Sequence, residues 1–215
     1  MTSIDPARAL DLGRTAIQQE VEAIQSILDR LANGLGDAFC ECAQVLSDCP
    51  GLIWVTGVGT SAAIGARFAH ILTDCGSRSM FLSPSDGLHG HSAVMSRGDV
   101  LVAISRGGES SEVNQMVDIA NGMDVTTVCL VHTVESTLGR SCNHVLPVQS
   151  EQEYELMGFV ATTSTVVCSA MCDALSAVVL QAKGYTLEQL GRSHPGGAVG
   201  RALAPDQGAW EGQDV

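Results

Sequence analysis

The sequence predicts an α/β fold: a parallel sheet covered by helices on both faces, and hence a three-layer α-β-α sandwich. Three observations carry this. Five short apolar segments, LIWVT, SMFLS, DVLVAIS, VTTVCLV and HVLPV, lack the polar alternation of a strand with one solvated face. Helix-like segments separate or follow them, over residues 61–74, 110–122, 136–142 and 160–183. The composition is 45% apolar but only 4% aromatic, which suits small aliphatic packing. In such sheets ligands sit outside the carboxyl ends of the strands, where the strand order reverses.

The elements follow in order. Between residues 6 and 31, Ile17, Val21, Ile24, Leu28 and Leu31 recur at steps of four and three, which is one helical face. NGLG, from Asn33, breaks that helix, and DAFCECAQVLS reads as a second helix ending near Pro50. This N-terminal helical pair packs on the domain or on a second subunit. The βα alternation then runs to the segment 160–183, which is long and apolar enough to raise the question of a membrane span. It carries Asp173 and many hydroxyl residues and lacks basic flanks, so a buried core helix is expected. The chain thus divides into a helical segment (1–50), one ligand-binding domain (51–203) and an acidic, frayed tail (204–215). No internal repeat is present.

Charge and cysteine usage narrow the function. A net charge of −13 argues against nucleic acid or an anionic membrane as partner, so any anionic substrate must be caught by local donors. The N-terminus lacks the pattern of a signal peptide, which points to the cytoplasm. The eight cysteines lie largely in apolar runs and are expected as buried free thiols. Cys168 and Cys172 share a helix face without further ligands nearby, and His89 and His91 lack supporting acids or thiols, so no metal is expected. His70, His132 and His144 belong to no motif and read as surface or core fillers.

Two glycine turns carry the chemistry. VTGVGTSAAIGARFAH is a strand, a glycine turn and a helix start, the arrangement that holds an anion on backbone N–H groups. A dinucleotide site needs a third glycine where Ala62 stands, and an acid at the end of the next strand, where SMFLSPS has none. A P-loop needs Gly-Lys-Ser/Thr, which is absent. The second turn, VLVAISRGGESSEV, repeats the arrangement with Ser105, Ser110 and Ser111. Serines at such places cap helices as a matter of course. Paired with Gly59, Thr60 and Ser61, they could clamp one small phosphate monoester.

With GVGTS, SDGLHG, SRGGESSE, GFVATTST and SHPGGAVG in place, from about Gly51 to Leu203, the sequence resembles the sugar isomerase (SIS) domain family. Within that family it is similar to the D-arabinose 5-phosphate isomerase group. The resemblance implies a five-stranded flavodoxin-like sheet, a homo-oligomer (a tetramer) and active sites at subunit interfaces. It also implies aldose–ketose interconversion of a sugar phosphate with no required cofactor or metal. Longer members carry a pair of CBS domains after this region, and that module is expected to be missing here.

Isomerisation of this kind moves a proton between C1 and C2 through an enediol, using acid–base side chains. By resemblance Glu112 and Glu153 supply the carboxylates, His194 the histidine and His89 a further active-site histidine. The group has a lysine where Thr60 stands, and Arg106 occupies a position that is usually neutral. The Arg106 guanidinium could reach a phosphate or an enediolate oxygen in place of that lysine. The alternative is a regulatory SIS protein that only binds a sugar phosphate. Retention of Glu112, Glu153 and His194, with no basic recognition helix, favours the enzyme.

Overall fold

The computed structural model describes residues 4–150 and 154–203. The elements are α1 (Pro6–Arg30), α2 (Gly36–Asp48), β1 (Ile53–Gly57), α3 (Thr60–Asp74), β2 (Ser79–Phe81), α4 (Pro84–Leu88), β3 (Val100–Ile104), α5 (Ser111–Gly122), β4 (Thr126–Val131), α6 (Thr137–Ser141), β5 (His144–Pro147), α7 (Thr163–Lys183), α8 (Leu187–Ser193) and α9 (Gly197–Ala202). The strands form one parallel sheet in the order β2-β1-β3-β4-β5. The expected three-layer fold is therefore present, with its switch point between β1 and β3.

The three central strands, β1, β3 and β4, are buried almost throughout because both of their faces are covered. Ile53, Val55, Val102 and Leu130 point into one core with residues of α2, α3 and α7, including Phe68 and Leu175. Trp54, Leu101, Ala103 and Cys129 point the other way, into a second core with Met116 and Val117 of α5 and Leu138 of α6. Burying one such side chain contributes about 1.5–3 kcal/mol. The apolar helix α7 is a core element here: Val167, Met171, Cys172 and Leu175 are buried in the first cluster. It starts at Thr163, three residues later than its hydropathy suggests, because Leu156 and Val160 form an antiparallel bridge just before it. All eight cysteines are free, and six of them are buried.

Helix α1 begins at Pro6, in the first turn, where a missing N–H costs nothing, with Asp5 accepting from the Ala7 N–H at 3.2 Å. It ends at a kink where Asn33 leaves helical geometry and Gly34 takes φ +105°. The stripe picked out by spacing is not the one turned to the core. Ala23 and Ile27 are buried, while Ile17, Val21 and Leu28 are 64%, 54% and 56% exposed.

One buried carboxylate ties the amino ends of the central strands together. Asp99 accepts hydrogen bonds from Leu52 N (2.8 Å), Trp54 Nε1 (3.0 Å) and Ser96 N (3.0 Å), and its carbonyl accepts from Thr126 N at 3.2 Å. Burial pushes its carboxyl up, but the donations from Leu52, Trp54 and Ser96 outweigh it and hold it below the ordinary 3.8. A folded value below the unfolded one means that this stability is present above about pH 4 and is lost as pH falls through the folded value. Asp99→Asn turns an NH2 group toward donors that need an acceptor, and should cost at least about 2 kcal/mol in urea unfolding at neutral pH. The variant should also lose less stability than the parent between pH 5 and pH 3, and equal acid slopes would count against this role.

Candidate active site

Both glycine turns lie at the switch point. β1 and β3 pair in register, with Gly57 opposite Ile104, so the turns that follow them stand side by side. A Cβ on Gly57 would lie 3.0 Å from the Ser61 backbone and 3.1 Å from the Ile104 carbonyl, so a side chain here would crowd both turns. Gly59, at φ +58°, turns the chain into α3, whose first residues are Thr60 and Ser61. A cavity of about 40 Å³ opens there, with Thr60, Ser61, Arg106, His132, Ser164 and Thr165 among its lining residues. That is room for about one or two waters.

The second turn is held from beneath. Ser105 is buried, its Oγ accepts from Gly108 N at 3.2 Å, and it lies 3.5 Å from Ser110 Oγ. Glu109 accepts from Thr137 N (2.9 Å) and Thr137 Oγ1 (2.7 Å), which ties the turn to α6 and lowers its carboxyl below the ordinary value. Ser110 is the N-cap of α5, and Ser111 donates to the Glu112 carboxylate at 3.1 Å on the exposed first turn. Thr60, Ser61 and Arg106 are thus the expected binding residues that line the cavity. Ser105 and Ser110 sit in the frame of the turn.

The remaining expected residues scatter. His89 is exposed at the end of α4, which packs on α5 through Gly87 and Met116. Glu153 lies outside the described residues. His194 follows α8 and lies against Asp74, at the far end of α3 from Thr60, with Nε2 3.4 Å from Oδ1. Thr60 and Asp74 are the first and last of the fifteen residues of α3, roughly 20 Å apart. Lys183, the only lysine in the chain, is also at the far end, lining a cavity with Cys49 and Gly76. Among the described residues, the group with metal-ligand geometry is His70, Asp74 and His194.

Two residues that sequence reasoning passed over belong to this site. His132 lines the cavity and donates its backbone N–H to the Arg106 carbonyl at 2.9 Å. Glu155 has a side chain only 3% exposed and lies 3.8 Å from Arg106 Nε. Its carboxylate accepts from the backbone of Thr162 and from Ser164 N at 3.2 Å, at the start of α7. Burial pushes Glu155 up, yet the donations from Ser164 and Thr162 more than offset it and hold the carboxyl below its ordinary 4.5. Nothing in the spacing of ELMGFVATTS marks Glu155, because the bonds it makes run from a loop to a helix start seven to nine residues later.

A model of the SIS domain family matches residues 46–178. Arabinose 5-phosphate isomerase KdsD of Yersinia pestis is 32% identical over 191 residues, 89% of this chain and 57% of that protein. Arabinose 5-phosphate isomerase GutQ of Salmonella typhimurium is 33% identical, over 90% of this chain and 59% of its own length. The chain therefore spans a little under three-fifths of these relatives. Among solved structures, a candidate sugar-phosphate isomerase from Listeria monocytogenes is 27% identical, covers 90% of this chain and 100% of its own, and superposes with a TM-score of 0.83. An Escherichia coli CFT073 protein in complex with arabinose 5-phosphate shares the fold at TM-score 0.83 and 23% identity, over 89% of this chain and 100% of its own.

The frame of the second turn can be tested directly. Gly108 has φ +68°, and a Cβ there would lie 2.1 Å from Ser136 Oγ, whereas a Cβ on Gly107 would meet nothing within 4 Å. Gly108→Ala should cost at least about 2 kcal/mol in chemical denaturation. Gly107→Ala should stay within about 0.5 kcal/mol of the parent. Equal effects would mean that the turn is not held as described.

Proposed function

The chain belongs to the SIS domain family, and on that premise we propose that it is a sugar-phosphate aldose–ketose isomerase of the arabinose 5-phosphate type. The observation that carries the reading is the pair of glycine turns abreast at the switch point, with Thr60, Ser61 and Arg106 around one small cavity. The phosphate sits at the start of α3, on its free N–H groups and hydroxyls. The sugar then extends along the carboxyl edge of the sheet, where Glu112 and His89 stand exposed on the elements that follow β3 and β2. Glu112 and Glu153 exchange the carbon-bound proton through an enediol, and the histidines serve the oxygens.

His194 reaches a cleft only from another copy of the chain, since within its own chain it lies at the opposite end of α3. A homo-oligomer, a tetramer by resemblance, follows from this reading. The exposed stripe Ile17, Val21 and Leu28, together with Met157 and Phe159 at 89% and 93% exposure, supplies apolar surface for it. Sedimentation should give a dimer or larger at micromolar concentration, and a monomer would overturn the placement of His194. The net charge of −13 and the soluble-type α/β core fit a cytoplasmic enzyme with no nucleic-acid or membrane partner.

The decisive measurement is exchange of the carbon-bound proton in deuterated water across tetrose, pentose and hexose phosphates, arabinose 5-phosphate among them. Exchange with one of them is expected. No exchange with any would overturn the isomerase reading and leave a binding protein. With an accepted substrate, Arg106→Ala should lower turnover by about 10²-fold or more, because Thr60 leaves Arg106 as the cation of the site. Arg106→Lys should retain part of the rate, and equal rates in all three proteins would remove Arg106 from the mechanism.

A further inference from the structure

We propose that His70, Asp74 and His194 form a binding site for a divalent transition metal, at the opposite end of α3 from the cleft of their own chain, an assignment that does not draw on the isomerase reading. His70 and Asp74 stand one helical turn apart at the end of α3, with His70 Nε2 3.3 Å from Asp74 Oδ2. His194 Nε2 faces the other carboxylate oxygen at 3.4 Å. Imidazole and carboxylate ligands lie about 2.0–2.1 Å from zinc, so neighbouring ligands of a tetrahedral ion stand roughly 3.3 Å apart. Each histidine holds that spacing to one of the two Asp74 oxygens, and the three ligand atoms lie within 4.8 Å of one another.

The orientation of His194 supports a cation between the groups. Its Nδ1 lies 3.3 Å from the Leu190 carbonyl and 3.0 Å from Ser193 Oγ. With Nδ1 donating to that carbonyl, Nε2 presents a lone pair on the side of Asp74, where a cation would bind. A backbone carbonyl on the far ring nitrogen is also the usual outer-shell partner of a metal-bound histidine. Two imidazoles and one carboxylate suit zinc, cobalt or nickel, and His70, 70% exposed, leaves the fourth side open to water.

Such an ion would staple the C-terminal segment to the sandwich. Neither α8 nor α9 contains a buried residue, so little apolar burial holds that segment. The same end of α3 receives Tyr185, whose ring lies where a Cβ of Gly76 would be. A metal bond between His194 and α3 supplies what packing does not. Metal on Nε2 and acid–base work by His194 exclude one another, so the site is assayed by binding rather than by turnover.

The test titrates zinc into chelator-stripped full-length protein by calorimetry, with cobalt(II) as the spectroscopic probe. One ion per chain is expected, with visible ligand-field bands, no thiolate charge-transfer band and a raised unfolding midpoint. His70→Ala and Asp74→Asn should each weaken binding by more than about 100-fold, beyond the loss an outer-shell change can cause. Unfolding without metal checks that both variants are folded, and His70→Gln replaces any that is not. No zinc binding by the parent, unchanged binding in the variants or a thiolate band would each overturn the proposal.

Discussion

The parallel register of β1 against β3, with Gly57 opposite Ile104, is the constraint on which the cleft depends. It is set at the other end of the strands. Asp99 gathers the Leu52 and Ser96 N–H groups and the Trp54 indole N–H, while its carbonyl takes the N–H that begins β4. Gly51 lies so near that a Cβ would be 2.2 Å from the carboxylate. A strand advances about 3.3 Å per residue, so a slip at Asp99 would be carried whole to the turns at the carboxyl ends. The buried charge is tolerated because each oxygen is met by N–H donors.

Helix α3 carries that order across the molecule. Its first turn borders the cavity through Thr60 and Ser61, and its last turn presents His70 and Asp74 to the segment after α7. Between these ends Phe68 and Leu72 are fully buried, and Gly65 lets the helix lie against Phe81 and Val55. Buried along one side and exposed along the other, α3 fixes the distance between two polar ends that have no direct contact.

Local electrostatics run against the overall charge. With 24 acidic and 11 basic residues, the chain has no long-range attraction for an anion. In the proposed function, helix N-termini and one guanidinium provide it at short range. Arg106 is held beside the cavity by Glu155, and Glu155 is held ionised by the opening turn of α7. One carboxylate therefore caps a core helix and positions the cation, joining the packing of the sandwich to the chemistry of its rim.

Layers, strands, turns and family were legible in the sequence because each rests on residues close together in the chain. Unbroken apolar runs mark strands covered on both faces, and glycines before hydroxyl residues mark a turn into a helix. What the sequence could not decide is which of the marked residues meet. Spacing finds an apolar face on α1 but not which stripe reaches the core, since a helix can rotate about its axis to suit its neighbours: Ala23 and Ile27 go in, and Ile17 and Val21 stay out. Glu155 and His132 carry no motif, and their places come from loops set down by strands far away in the chain. His194 stands in the most distinctive motif, yet tertiary packing sets it on Asp74, a helix length from the turns it was expected to serve. Periodicity and turn chemistry are local, whereas a site is made by long-range contacts, and only the folded chain brings those together.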